Sequence, residues 1–289
     1  MNPATEISLS TVRLECTGRG AVSVGTGYLY CYKLKGGEIY PVIVTNKHVI
    51  AHATKIKTEF HVIKQGADVG EDGHADFEEK LNVEFDDFES DTIFHPDKEI
   101  DLCAILLGKT LNRIRPGYGV KNVFLNKGWH IEPALESIIR PIESVIMIGY
   151  PNGLWDEVNN RPIARRGLTA SHPLKPWNGK RQFMIDAACF PGSSGSPVFL
   201  YEDGLYRNNE GVFVAGTRAK LLGTLFSGPL ITANGKLVEI PIPTTPLSKT
   251  ETEKIPVIQT MMNLGNVLHA SLLDDLRPLV ENFMQKWSK

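Results

Sequence analysis

Short runs rich in β-branched and aromatic residues recur along the chain, each closed by glycine, proline or polar turn residues. They fall at 12–16, 23–33, 40–46, 56–63, 100–107, 145–148, 182–187, 197–200, 221–227, 236–240 and 257–268. Such spacing specifies an all-β sandwich or barrel and not alternating βαβ units. The Gly25-Thr26-Gly27 step inside one run predicts a bulge or a close backbone approach. Gly36-Gly37 predicts a hairpin turn. One stretch has a different period. Leu272, Leu273, Leu276, Leu279, Val280, Phe283, Met284 and Trp287 follow helical spacing, with Ser271 and Asp274 as a capping pair and Pro278 as a start or kink.

Length and charge narrow the classes. A chain of 289 residues suggests two domains by length alone, yet all-β barrels of 200–250 residues form one unit. With 42% hydrophobic and 22% charged residues, it can bury a sizeable core. A net charge of −2 gives no electrostatic footprint for nucleic acid or an anionic membrane surface. No apolar run approaches the ~18 residues of a membrane helix. The opening MNPATEISLS lacks the basic and apolar regions of a signal peptide. Cys16, Cys31, Cys103 and Cys189 are scattered without CxxC spacing, so neither a zinc site nor a disulfide framework is expected. Cys16 and Cys31 could face each other across an early hairpin, although small buried hydrophobes are the commoner role. A reducing, cytoplasmic setting is the expectation.

From Asp68 to Asp91 acidic residues crowd the chain. A solvated loop is the expected form. A calcium loop is the sharper alternative, but the EF-hand spacing is absent.

Three segments carry chemistry. Pro191-Gly192-Ser193-Ser194-Gly195-Ser196-Pro197 places a serine between two glycines, after one buried-looking run and before another. Gly192 allows a sharp turn that aims its N–H, beside that of Ser194, at an oxyanion. Gly195 is read as sparing a Cβ that would crowd an entering substrate. Upstream, the β-branched run 42–50 carries His48 near its end, and Asp101 opens the apolar run that follows it. A serine hydroxyl becomes a nucleophile when an imidazole takes its proton, and the imidazole needs a buried acceptor to fix its tautomer. Asp91 and Asp97 are nearby alternatives to Asp101, but only Asp101 enters the apolar run.

VTNKHV, DLCAIL and DAACFPGSSGSPVF resemble the histidine, aspartate and serine segments of the trypsin-like, chymotrypsin-fold serine peptidases, HtrA-type and other bacterial domains in particular. The resemblance runs from about Val12 to Leu268. It implies a double six-stranded antiparallel β-barrel with a closing helix. One peptidase domain would span 1–289: a first barrel at about 10–125 with His48 and Asp101, a second at about 126–268 with Ser194, and a helix at 271–288.

It also implies a serine endopeptidase working through an acyl-enzyme, with a His48–Asp101–Ser194 triad and an oxyanion hole of Gly192 and Ser194 N–H groups. Protein or peptide is the implied substrate, with no cofactor, metal, nucleic acid or membrane. The primary specificity pocket would be lined by Ala188, Leu225, Phe226, Ser227 and Gly228, an uncharged set that favours small or medium apolar residues. Arg165 and Arg166 would upset that preference if they reached the pocket, but as loop arginines they read as solvated. No room is left for the PDZ domain of HtrA proteins. Ser193 stands where trypsin-type zymogens carry the acid that captures a freed N-terminus, so neighbouring loops, substrate or a regulatory partner protein must order the oxyanion loop. An esterase of the α/β-hydrolase type would need G-x-S-x-G, which Ser196 breaks. A lapsed, peptide-binding relative would have lost a triad member.

Overall fold

Alternating burial along β1 (Thr11–Gly18) turns Val12, Leu14 and Cys16 inward, and the same period of two organises most of the chain. The computed structural model describes residues 2–18, 20–70, 79–208, 210–234 and 257–287. The run expected at 236–240 lies outside them. β1 pairs with β2 (Ala21–Lys33), which turns through Gly36-Gly37 into β3 (Ile39–Thr45). Then come β4 (Lys55–Lys64), β5 (Glu79–Phe85), β6 (Thr92–Phe94), β7 (Cys103–Leu106) and β8 (Tyr118–Val120). These eight strands form one antiparallel sheet in the order β5-β4-β1-β2-β3-β7-β6, with β8 also on β4. The first half therefore has two strands more than the six expected.

The second half is a closed barrel of β9 (Ser144–Gly149), β10 (Ile163–Thr169), β11 (Gln182–Asp186), β12 (Pro197–Arg207), β13 (Phe213–Ser227) and β16 (Leu264–His269). A small ribbon, β14 (Leu230–Asn234) with β15 (Val257–Met261), lies outside it. The single run expected at 257–268 is two strands, broken where Asn263 takes φ 59°.

Each half has its own apolar core, and a third core joins them. Tyr28, Val44, Ile148, Phe199, Leu221 and Leu276 belong to this shared cluster. Tyr28, Tyr30 and Tyr32 stand two apart on one face of β2 and reach across the seam. Their hydroxyls meet Thr224 Oγ1 at 2.9 Å, His130 Nε2 at 3.0 Å and the Leu273 carbonyl at 3.0 Å. The C-terminal helix, Leu272–Trp287, packs Leu272, Leu273, Leu276 and Val280 into the same seam. It runs through Pro278, which lies on its exposed face. The side-chain cap expected from Asp274 is not made. Its carboxylate accepts from Lys127 Nζ at 2.6 Å instead.

Other expectations change with register. Cys16 pairs with Ser23 and Cys31 with Pro41, so the two cysteines do not face each other. All four thiols are free. Burial pushes the Cys16 thiol up to about 12 and those of Cys31 and Cys189 up to about 11. The acidic stretch is partly a strand, β5, whose Glu79 takes Arg115 and whose Glu84 takes Lys55 and Lys57. Beyond the strand, Asp91 takes Lys109. Among the described residues no group of acids, histidines or cysteines could hold a metal ion, and no helix is long and apolar enough to cross a membrane. Residues 71–78 of that stretch lie outside the described set.

Candidate active site

Strand register delivers the histidine and the aspartate to one place. β3 pairs with β7 so that Thr45 lies opposite Cys103. His48, three residues past Thr45 on a short helical turn, therefore meets Asp101, two residues before Cys103. His48 Nδ1 donates to Asp101 Oδ2, and the His48 backbone N–H donates to Asp101 Oδ1 at 3.1 Å. With its proton committed at Nδ1, a neutral ring keeps Nε2 as its basic nitrogen. Asn46, wholly buried, donates from Nδ2 to the Asp101 carbonyl at 2.7 Å. Burial pushes the Asp101 carboxyl up, but the His48 hydrogen bond and charge, with the His48 and Lys47 backbone N–H groups, outweigh it and leave it below its ordinary value. The alternative acids are engaged elsewhere: Asp91 with Lys109, and Asp97 Oδ1 with the Glu99 N–H at 2.9 Å.

The loop bearing Asp101 has a further anchor. Lys47 Nζ donates to the carbonyls of His95 and Asp97 at 3.1 and 3.0 Å. His95 Nδ1 accepts from the Asp97 N–H at 3.1 Å, and its Nε2 donates to Asp275 Oδ2 at 3.2 Å. Asp275 belongs to the C-terminal helix and is also held by Arg181, next to β11.

The serine loop, residues 188–196, hangs between the two halves. Thr26, fully buried on β2, is its chief anchor. Its N–H donates to the Ser194 carbonyl at 2.9 Å and its hydroxyl to the Gly192 carbonyl at 2.8 Å. The same hydroxyl accepts from the Tyr150 N–H at 3.1 Å. The Thr26 carbonyl accepts from Thr45 Oγ1 at 2.7 Å, which ties the loop to the end of β3 just before His48. Sequence reading noted a close backbone approach at 25–27 but missed this role. Gly195, at φ +87°, faces the same carbonyl, and a Cβ there would come within 1.9 Å of it. The glycine thus admits the first sheet and not, as expected, the substrate.

The carbonyl groups of residues 190–194 all point to protein donors. Phe190 O accepts from the Ser193 N–H, Pro191 O from the Asn152 N–H, and Ser193 O from the Ser196 N–H, at 3.0, 2.6 and 3.0 Å. The Thr26 contacts take Gly192 O and Ser194 O. Among the described residues the N–H groups of Gly192 and Ser194 have no partner. Gly192 sits at φ +85°, where a Cβ would come within 2.4 Å of the Tyr150 carbonyl. Two free N–H groups on a stretch whose carbonyls, from 190 to 194, are turned away suit an oxyanion. No hydrogen bond joins Ser194 Oγ to His48 among the described residues, and in resting sites this bond is commonly long.

The expected pocket residues separate. Ala188, Phe226, Ser227 and Gly228 are half-buried, and Ser227 Oγ accepts from Asn266 Nδ2 at 3.1 Å. Leu225 is sealed in the barrel core at 2% exposure and gives the loop only its backbone: its carbonyl takes the Gly195 N–H at 2.8 Å and its N–H donates to the Ser196 carbonyl at 2.9 Å. Arg166 is exposed, as expected, but Arg165 is not. From β10 its guanidinium turns onto the serine loop, donating to the Ala188 carbonyl and to Ser193 Oγ. An uncharged pocket floor is therefore not what this segment offers.

A family model, that of the trypsin-like peptidase domain, matches residues 25–205. Several solved structures are similar at low identity. The serine endoprotease from Yersinia pestis shares 15% identity over 97% of this chain and 64% of that one, at a TM-score of 0.43. The Drosophila Grass clip serine protease of the Toll pathway shares 11% over 95% and 70%, at 0.48. A thermostable serine protease from an extremophilic microorganism shares 12% over 94% and 97%, at 0.44. The chain thus spans under two thirds of the Yersinia pestis protein. No curated protein matches it.

Proposed function

As the chain belongs to the trypsin-like peptidase domain family, we propose that it is a serine peptidase of protein or peptide substrates, cleaving peptide bonds through an acyl-enzyme built on His48, Asp101 and Ser194. The observation that carries this reading is the Asp101 carboxylate on both the ring and the backbone of His48, beside a serine loop with two unpartnered N–H groups. Ser194 Oγ bonds to the scissile carbonyl carbon while its proton passes to His48 Nε2. Negative charge on the carbonyl oxygen is met by the Gly192 and Ser194 N–H groups. The C–N bond then breaks and the proton leaves with the amine. Water, deprotonated by the same nitrogen, splits the ester and restores the hydroxyl. Asp101 orients the ring and stabilises its charged form without taking the proton.

Four free thiols, three of them buried, support a reducing setting, which for this chain we take to be the cytoplasm.

Labelling with a fluorophosphonate tests the nucleophile. Adduct at Ser194, together with a loss of peptide turnover of about 10⁴-fold or more in Ser194→Ala, is expected. Turnover close to wild type in a folded Ser194→Ala protein would overturn the reading.

A further inference from the structure

We propose that Arg165 is a positioning residue for catalysis: its guanidinium is the built-in cation that holds the oxyanion loop in its working shape, in the place of a freed N-terminal amine. The inference rests on the reading of Ser194 as nucleophile and of Gly192 and Ser194 as oxyanion donors.

Three observations carry it. First, the guanidinium donates at two points, the Ala188 carbonyl and Ser193 Oγ, which bracket Gly192 and end one residue short of Ser194. Ser193 is 1% exposed, so its hydroxyl is directed into the protein at the very position where a trypsin-type zymogen would place an acid. Second, Arg165 has no carboxylate partner among the described residues. Its Nε is buried without an acceptor, and Phe190, also of the loop, covers the guanidinium with its ring at 5.7 Å. Burial correspondingly pulls the Arg165 pKa down. A half-buried cation held only by neutral acceptors is costly unless its geometry is used. Third, the rest of the loop shows what that geometry does. With Ala188 O taken by Arg165 and the carbonyls of Phe190, Pro191 and Gly192 taken by Ser193, Asn152 and Thr26, the peptide before Gly192 cannot turn its oxygen into the hole without giving up bonds. The cation acts through the loop and does not touch the reacting atoms.

The test compares the full chain with Arg165→Ala and Ser193→Ala. It uses the rate constant of fluorophosphonate labelling at Ser194, kcat and KM on peptides with neutral and with acidic residues before the cut, and thermal melting as a fold control. Arg165→Ala is expected to lower the labelling rate constant and kcat by about a hundredfold on both peptide types, with KM within about twofold, because what is lost is oxyanion stabilisation. Ser193→Ala, which keeps the cation and removes one acceptor, is expected to lose about tenfold in the same two quantities. If Arg165→Ala does not fold, Ser193→Ala alone decides.

Labelling of the folded variants at the wild-type rate would overturn the proposal. A loss seen only as a higher KM on acidic peptides would overturn it too, making Arg165 a specificity residue. Failure of the underlying reading looks different. The folded wild-type protein would then carry no adduct at Ser194.

Discussion

His48 with Asp101 and the Ser194 loop are held in opposite ways. The pair is fixed at the end of one sheet, by the β3–β7 register and by bonds between the helical turn after β3 and the loop before β7. The loop is fixed between halves, with Thr26 gripping it from the first sheet and Arg165 and Leu225 from the barrel. A base set by regular pairing moves only if the sheet comes apart. A nucleophile set at a seam responds to any change in how the two halves meet. Stability and activity should therefore fall together on the serine side, where one contact serves both, and separate on the histidine side, where the sheet holds the fold whatever becomes of the pair.

Asp101→Asn breaks the pair and leaves the seam alone. The expected loss in kcat is about 10³–10⁴-fold, because the amide can favour the wrong tautomer of His48. Melting temperature within a few degrees of wild type, measured on the same sample, would place the effect in the pair and not in the fold. Gly195→Ala attacks the seam. A Cβ at φ +87°, driven toward the Thr26 carbonyl, should cost about 3 kcal/mol in denaturant unfolding and about a hundredfold in kcat. A neutral result would mean that the halves can move apart freely at this point.

Thr26→Val keeps the shape and deletes the hydroxyl, stranding the Gly192 carbonyl and the Tyr150 N–H. About 1–3 kcal/mol of stability and about tenfold in kcat should go, with His48 and Asp101 unmoved in a structure of the variant.

The last effect, on stability alone, concerns acid. Burial, then the Lys127 charge, pulls the seam residue His130 down to about 4 from 6.5. The neutral ring is the folded form, whereas the unfolded chain takes a proton below about 6.5. The contribution is complete above that pH and is lost as pH falls through about 4, up to roughly 3 kcal/mol. Melting curves between pH 7 and pH 4 should flatten in His130→Gln. An unchanged slope would remove His130 from the account.

Much of the fold was readable because strand and turn signals are local. The His48, Asp101 and Ser194 segments stand out for the same reason: each is a short apolar run with one polar residue at its end. Thr26 and Arg165 could not be found that way. Their partners lie 166 and 28 residues away, and neither side chain differs in type from an ordinary strand residue. The strand β5 was hidden by its charges, since its glutamates face cations on β4 and elsewhere and blur the apolar alternation. Leu225 was misplaced because an apolar side chain suits a barrel interior as well as a pocket wall.

The bond from His95 to Asp275 has a consequence in time. The partners are 180 residues apart, and Asp275 arrives on the helix that closes the seam. While the polypeptide is being made, the loop that presents Asp101 lacks this brace until the helix has emerged. The nascent chain beside it, unfolded and cleavable, thus faces a site whose acid is not yet fully secured.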